Sequence, residues 1–283
     1  MSSKERTAGS LPQLRDAVIG LLQAEAWPLL GEPARDIRFK QSADAPGFDI
    51  VTATDHAIQA RLGPALERLL PGSLVLGEEG FVAWSNPAAQ PTWLLDPLDG
   101  TINFAKGLPG YGLSLALSIE GTCALGIVMD GVTGRIFDAV AGGGARLDGV
   151  PLRLAPGAAA VAPMCLSSGV FELIARKDAS ALADMLAISP RIRLIGGQAL
   201  QLCWVATGAL ALNVNREAKL WDDAAGALIV REAGGVYARL CGRDLWPFRE
   251  DDPALQGASL FSLAGSAATV EKALKIMQRL AAA

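Results

Sequence analysis

Apolar residues recur at helical spacing near the start of the chain, at Leu14, Val18, Leu21 and Leu22, which predicts a helix there. A second helical stretch runs from Asp55 to Leu70, with Ile58, Leu62, Leu66 and Leu69 on one face. Gly63-Pro64 is expected to kink or interrupt it and Pro71-Gly72 to end it. Residues 73–76 and 93–95 read as short strands, each delivering acids at its C-terminal end. Residues 112–120, 122–130 and 135–141 read as consecutive strands, turned at Gly121-Thr122 and Gly131–Gly134. Gly142-Gly143-Gly144 reads as a loop. The second half alternates: strand 163–167, helix 171–188, strand 191–195, helix 198–208, strand 209–214, helix 222–234, strand 259–263 and helix 266–281. Such alternation indicates an α/β layered fold. No internal repeat is visible.

Around Pro151–Pro163 the composition turns to Ala, Pro and Gly. The expected division is a loose tail over 1–10, an N-terminal α+β domain over 11–152 and a C-terminal α/β domain over 153–283 that completes the site. From Leu194 to Asn215 the chain has no charged residue and is long enough to span a bilayer. Its Gln198, Gln201, Asn213, Asn215 and glycines argue instead for a buried helix followed by a strand, so no membrane partner is expected.

With 283 residues, 51% of them hydrophobic, and a mean hydropathy of +0.31, the chain can bury a large core. Its 25 basic and 29 acidic residues leave a net charge of −4, which gives no hint of a nucleic-acid partner. Cys123, Cys165, Cys203 and Cys241 are widely spaced and form no CxxC pair. Free thiols and a cytoplasmic location are therefore expected, in keeping with an N-terminus that lacks the apolar core of a signal peptide.

The candidate chemistry lies in three acidic blocks: Gly77-Glu78-Glu79, Asp96-Pro97-Leu98-Asp99-Gly100-Thr101 and Trp221-Asp222-Asp223-Ala224-Ala225-Gly226. Thr92-Trp93-Leu94-Leu95 runs straight into Asp96, and a carboxylate beside an apolar strand is costly without a partner. Hard oxygen donors gathered at element ends suggest Mg²⁺ or a similar cation. Pro97 and Gly100 are expected to break the strand, so that a turn brings Asp96 and Asp99 to one centre. Free N–H groups after Gly100 would suit a phosphate. Taken singly, each block has a plainer reading: Asp99-Gly100 an ordinary turn, Glu78-Glu79 a solvated loop, Asp222 an N-cap.

Together the motifs carry a resemblance. Asp96-Pro97-Leu98-Asp99-Gly100-Thr101-Ile102-Asn103 resembles one signature of the inositol monophosphatase family, and Trp221 to Gly226 followed by Glu232-Ala233-Gly234-Gly235 resembles the other. Gly77-Glu78-Glu79 and Asp49 to Asp55 also match, in order and spacing, and the similarity covers nearly all of the chain after about residue 11. The resemblance implies a Mg²⁺-dependent, lithium-sensitive phosphatase, an αβαβα sandwich, acting as a homodimer on a small phosphate ester. Carried over by position, Glu78, Asp96, the Leu98 carbonyl, Asp99 and Asp222 would bind metal. Glu79 and Lys40 would lie near the site. Asp55 and Thr101 would orient the attacking water, and the backbone of Gly100 and Thr101 would hold phosphate.

The pattern departs from the inositol type on the substrate side. Gly196-Gly197-Gln198-Ala199 stands where the family often has Gly-Ser/Thr-Ala-Ala, and Asn215 aligns with the glutamate that usually contacts inositol hydroxyls. Inositol 1-phosphate, a sugar bisphosphate, histidinol phosphate and 3′-phosphoadenosine 5′-phosphate are all left open as substrates, as is a regulatory or binding role on the same scaffold. Rival phosphatase chemistries fit poorly. His56 is the only histidine and reads as a surface or cap residue, and no cysteine is followed six residues later by arginine.

Overall fold

The computed structural model describes residues 11–40, 50–155, 157 and 161–282. The expected tail at 1–10 and Asp49 of the first motif lie outside the described residues.

In chain order the elements are α1 (Leu11–Glu25), α2 (Trp27–Leu30), β1 (Arg38–Phe39), β2 (Ile50–Val51), α3 (Ala53–Leu69), β3 (Leu74–Gly77), β4 (Thr92–Asp99), α4 (Thr101–Ala105), β5 (Gly112–Ile119), β6 (Thr122–Asp130), β7 (Ile136–Val140), β8 (Gly144–Leu147) and β9 (Val150–Leu152). There follow β10 (Met164–Leu166), α5 (Ser168–Lys177), α6 (Ala181–Ile188), β11 (Ile192–Arg193), α7 (Gln198–Ala206), β12 (Leu212–Asn215), α8 (Leu220–Glu232), β13 (Val236–Arg239), β14 (Ser262–Gly265) and α9 (Ala267–Ala282).

Among the described residues, seven strands form one sheet in the order β3-β4-β5-β6-β7-β8-β9, and five form another in the order β11-β10-β12-β14-β13. The first is antiparallel except for the β3–β4 pair; the second is mixed. Side-chain alternation on β4 and β5 sorts the core into layers. Leu95 and Leu117 pack with Val18 and Leu22 of α1 and Ile58 and Leu62 of α3. Leu94 and Ala116 face the other way, onto Leu202 and Val205 of α7 and Ala224 and Leu228 of α8. These two helices reach Ala264 of the second sheet, whose far face (Met164, Val214, Leu263) is covered by α5, α6 and α9. The result is the expected αβαβα sandwich. The central helices sit very close to the first sheet: a Cβ on Gly126 of β6 would lie 2.8 Å from the Ala225 carbonyl oxygen.

Several expectations need correction. Gly63-Pro64 does not interrupt α3, which carries Pro64 in its interior. Leu62 and Leu66 on either side are fully buried, while Pro64 and Ala60, whose carbonyl loses its donor, face solvent. Core burial holds both halves, and water can satisfy the freed carbonyl. The single helix expected over 171–188 is two, α5 and α6. Between them Asp178 Oδ1 accepts from the Ser180 N–H (3.0 Å) and hydroxyl (2.5 Å), a local bond that competes with the helical ladder. The loop expected at Gly142–Gly144 is present, as the turn of the β7–β8 hairpin. The Glu232 carboxylate pins it, accepting from the Gly142 and Gly144 N–H groups at 2.8 Å each. Strands β8, β9 and β13 were not legible as strands in the sequence. The charge-free stretch from Leu194 contains α7 and β12, both buried; among the described residues no helix is long and apolar enough to cross a membrane.

Candidate active site

Strand β4 is buried along its whole length and ends in the first acidic block. Pro97 does not break it. Its pairing with β5 slips between Asp96, opposite Ser114, and Asp99, opposite Gly112. This bulge re-aims one of two side chains that would otherwise point to opposite faces. Glu78 continues the β3–β4 ladder one residue beyond β3, its N–H donating to the Leu95 carbonyl at 2.9 Å. Asp222 is not an N-cap but the third residue of α8, and its Oδ2 accepts from the Lys219 N–H at 2.7 Å.

Glu78, Asp96, Asp99 and Asp222 meet in one place. Asp96 has its carboxyl pushed well above the usual range, first by burial and then by the charges of Glu78, Asp222 and Asp99. Asp222 is raised for the same reasons, with Asp99 its strongest charged neighbour. Burial lifts Asp99 to about 7, although backbone N–H groups pull it down. Each of the three aspartates commits one oxygen to a backbone N–H: Asp96 to Leu98 (2.9 Å), Asp99 to Ala199 (2.6 Å), Asp222 to Lys219 (2.7 Å). That fixes the side chains; Asp96 in addition shares a hydrogen bond with Glu78, and Asp99 also accepts from the Gln198 backbone.

Lys40 Nζ lies 2.5 Å from Glu78 Oε1 and 2.7 Å from Glu79 Oε1. Burial disfavours the Lys40 charge, but the two glutamates more than reverse this and raise its pKa. Burial likewise raises Glu78, against the pull of Lys40. The Gln59 amide clamps the Glu79 backbone, donating to its carbonyl (2.6 Å) and accepting from its N–H (3.1 Å).

Asp55 stands at the start of α3. Its Oδ2 accepts from the Thr52 N–H (2.8 Å) and hydroxyl (2.5 Å), closing a capping box. Its Oδ1 is 3.4 Å from the Thr101 hydroxyl, which also donates to the Leu98 carbonyl at 3.0 Å. Burial raises the Asp55 carboxyl. Asp55, Thr101 and Leu98 thus form a chain that leads to the acidic centre.

A cleft of about 350 Å³ opens beside Asp99 and Asp222. Gly100 (φ +83°) and Gly197 (φ +74°), the latter lining the cleft, bring three stretches of backbone together: a Cβ on either would collide with the Gly110 carbonyl oxygen, at 2.7 and 2.1 Å. Asn103 staples the same place, donating to the carbonyls of Gly110 (3.0 Å) and Ile195 (2.8 Å). Gly196, Gln198 and Asn215 line the cleft as well. The amides of the last two are largely committed inward. Gln198 Oε1 accepts from Asn213 and Asn215, both at 2.9 Å, and Gln198 Nε2 donates to Asp223 at 2.7 Å. Asn215 Oδ1 accepts from the Glu217 and Ala218 N–H groups at 2.7 and 3.0 Å. Asp223, fully buried, also accepts from the Tyr237 hydroxyl.

Sequence reasoning missed Asn103, Gln59 and Asp223 as supporting residues. Asn103 and Asp223 stand inside the quoted motifs, but nothing in the chain signals that Asn103 reaches Ile195, 92 positions away. His56 is exposed on α3, as expected.

Among the described residues no group of three or more His, Cys, Asp or Glu side chains stands already arranged to hold a metal ion. The chemistry of the donor set nonetheless fits one. The candidates are carboxylate and peptide oxygens, the ligands of hard cations. Their mutual repulsion, read in the raised carboxyls of Asp96 and Asp222, is what a cation relieves.

The model of the inositol monophosphatase family matches residues 13–277. The chain belongs to the inositol monophosphatase family. As a family member it is a phosphoric monoester hydrolase. It is similar to the inositol-1-monophosphatase of Mycobacterium leprae, 39% identical over 198 residues that cover 66% of this chain and 67% of that one. It is 33% identical to the inositol-1-monophosphatase of Mycobacterium bovis over 251 residues, 86% of this chain and 81% of the other. The solved structure of the Thermotoga maritima IMPase superposes with a TM-score of 0.72 at 25% identity, covering 98% of both chains. The family fold is thus the layered fold described above.

Proposed function

We propose that the protein hydrolyses a small phosphate monoester, an inositol monophosphate or a related sugar or polyol phosphate, with Mg²⁺ as cofactor and water as nucleophile. The observation that carries this reading is the convergence of Glu78, Asp96, Asp99 and Asp222 beside the Asp55–Thr101 pair at the edge of a cleft. Glu78, Asp96, the Leu98 carbonyl, Asp99 and Asp222 would hold the cation. Bound there, Mg²⁺ would supply Lewis-acid stabilisation of phosphate charge and a water of lowered pKa.

The chain's own groups do the rest. Thr101 can accept a hydrogen bond from the attacking water while passing its own proton towards Asp55 Oδ1, 3.4 Å away. The raised pKa of Asp55 makes it a stronger proton acceptor than an ordinary carboxylate. Gly100 and Thr101 offer backbone N–H groups to the phosphate, and Gly196 and Gly197 close the floor with no side chain in the way. Asp222 lines the cleft and faces the leaving alcohol. Lys40 holds Glu78 and Glu79 in place by charge. The family resemblance extends the proposal to lithium inhibition, a homodimer, a cytoplasmic location and a division near residue 152, with acids from both sides completing the site.

The test is release of inorganic phosphate from a panel of small phosphate esters, with Mg²⁺ and with a chelator. The proposal expects turnover that requires Mg²⁺ and is lost in Asp99→Asn. Turnover that survives chelation, or an unimpaired Asp99→Asn, contradicts it.

A further inference from the structure

Gln201 stands one helical turn after Gln198 on α7 and lines the same cleft. It is 3% exposed, yet its side chain makes no hydrogen bond among the described residues. Its backbone N–H is used by the helix, donating to Gly197. Its amide is not sealed in the core with the partnerless polar atoms of the described residues but reaches the cleft, where a bound group can meet it. Every other carboxamide lining this cleft is engaged. Gln198 and Asn215 bond each other, Asp223 and the backbone, and Asn103 holds two carbonyls. The cleft's outer rim is mixed: Ile102 and Leu194 are exposed there, 48% and 53%, beside exposed Ser168 and Glu217.

We propose that Gln201 is the specificity-determining residue of the cleft: its free amide donates to and accepts from a hydroxyl on the alcohol portion of the phosphate ester. The inference rests on the phosphomonoesterase reading and deepens it. A carboxamide offers one acceptor and two donors and no charge, so it matches a neutral hydroxylated leaving group. Carboxylates of Asp99, Asp222 and Glu217 border the same space, which disfavours a second anionic group on the alcohol. Gln198 and Asn215, the positions where the sequence departs from the inositol pattern, then act as the wall behind Gln201 rather than as direct readers.

The experiment compares myo-inositol 1-phosphate with phenyl phosphate, whose leaving group has no further hydroxyl, in the presence of Mg²⁺. Gln201→Met keeps the length of the side chain and removes the amide. It should lower kcat/KM for myo-inositol 1-phosphate by roughly 10- to 100-fold, mostly through KM, and change phenyl phosphate by less than about 3-fold. Its Tm should not fall, because no internal hydrogen bond is lost. Gln201→Asn serves as the second variant: it keeps the amide but withdraws it, and should weaken the hydroxylated ester alone. Equal losses on both esters, no loss on either, or a lowered Tm with non-selective loss would overturn the inference and assign Gln201 to packing. Absence of turnover of both esters by the unmodified protein would instead overturn the phosphomonoesterase reading on which the inference stands.

Discussion

Asp99→Asn separates two consequences of crowding carboxylates, because the charge that serves catalysis opposes folding. Burial lifts the Asp99 carboxyl from its ordinary 3.8 to about 7. At about 1.4 kcal/mol per pH unit, that gap sets on the order of 4 kcal/mol against the ionised side chain at pH 8 in metal-free protein. Relaxation and water entry reduce it, and about 2 kcal/mol is a fair expectation for the variant's gain. The sign follows from proton counting. The folded protein keeps the Asp99 proton up to about pH 7, whereas the unfolded chain loses it near 3.8. Folding therefore takes up a proton between those values, and stability falls as pH rises through them. Asparagine can still accept the Ala199 N–H that Asp99 Oδ2 accepts, so the substitution removes charge with little change of contact. Thermal unfolding in chelator should show the variant more stable than the parent at pH 8, by roughly 4–8 °C, by clearly less at pH 5, and equal only near pH 4, where the unfolded carboxyl also keeps its proton. Added Mg²⁺ should raise the parent's Tm and move the variant's much less. A variant less stable than the parent at pH 8, or a gap that ignores pH, would refute the reasoning.

Two further outcomes follow from the same geometry. Thr101→Val removes the hydroxyl between Leu98 and Asp55 and should lower kcat by about 10²–10⁴-fold with little change in KM, measured by steady-state phosphate release; a small effect on kcat would remove the pair from the mechanism. Gly197→Ala would drive a Cβ to 2.1 Å from the Gly110 carbonyl at a φ of +74°. It should destabilise the protein by about 2 kcal/mol or more, seen as a lowered urea midpoint, and an unchanged midpoint would mean that the Gly110 loop yields freely.

The sequence exposed the layered architecture because apolar spacing survives in long elements such as α1, α3, β5 and β6, where burial dictates residue type. Short strands such as β13, and β8 and β9 beyond the triple glycine, carried too few apolar positions to stand out. The break between α5 and α6 depends on a side-chain bond from Asp178 that competes with a good helical pattern. The acidic centre was legible because its residues cluster in three blocks, whereas the way Asp96 and Asp99 come together depends on a bulge that no residue type announces. Gln198 and Asn215 looked like substrate contacts by position. Their engagement with Asp223 and each other depends on contacts between α7, β12 and α8 that spacing does not encode.

The most direct measurement is anomalous diffraction from crystals of the active protein soaked in Mn²⁺. The account predicts density bounded by Glu78, Asp96, the Leu98 carbonyl, Asp99 and Asp222, with Lys40 drawn back from Glu78. An active protein whose Mn²⁺ sites all lie away from these oxygens would contradict it.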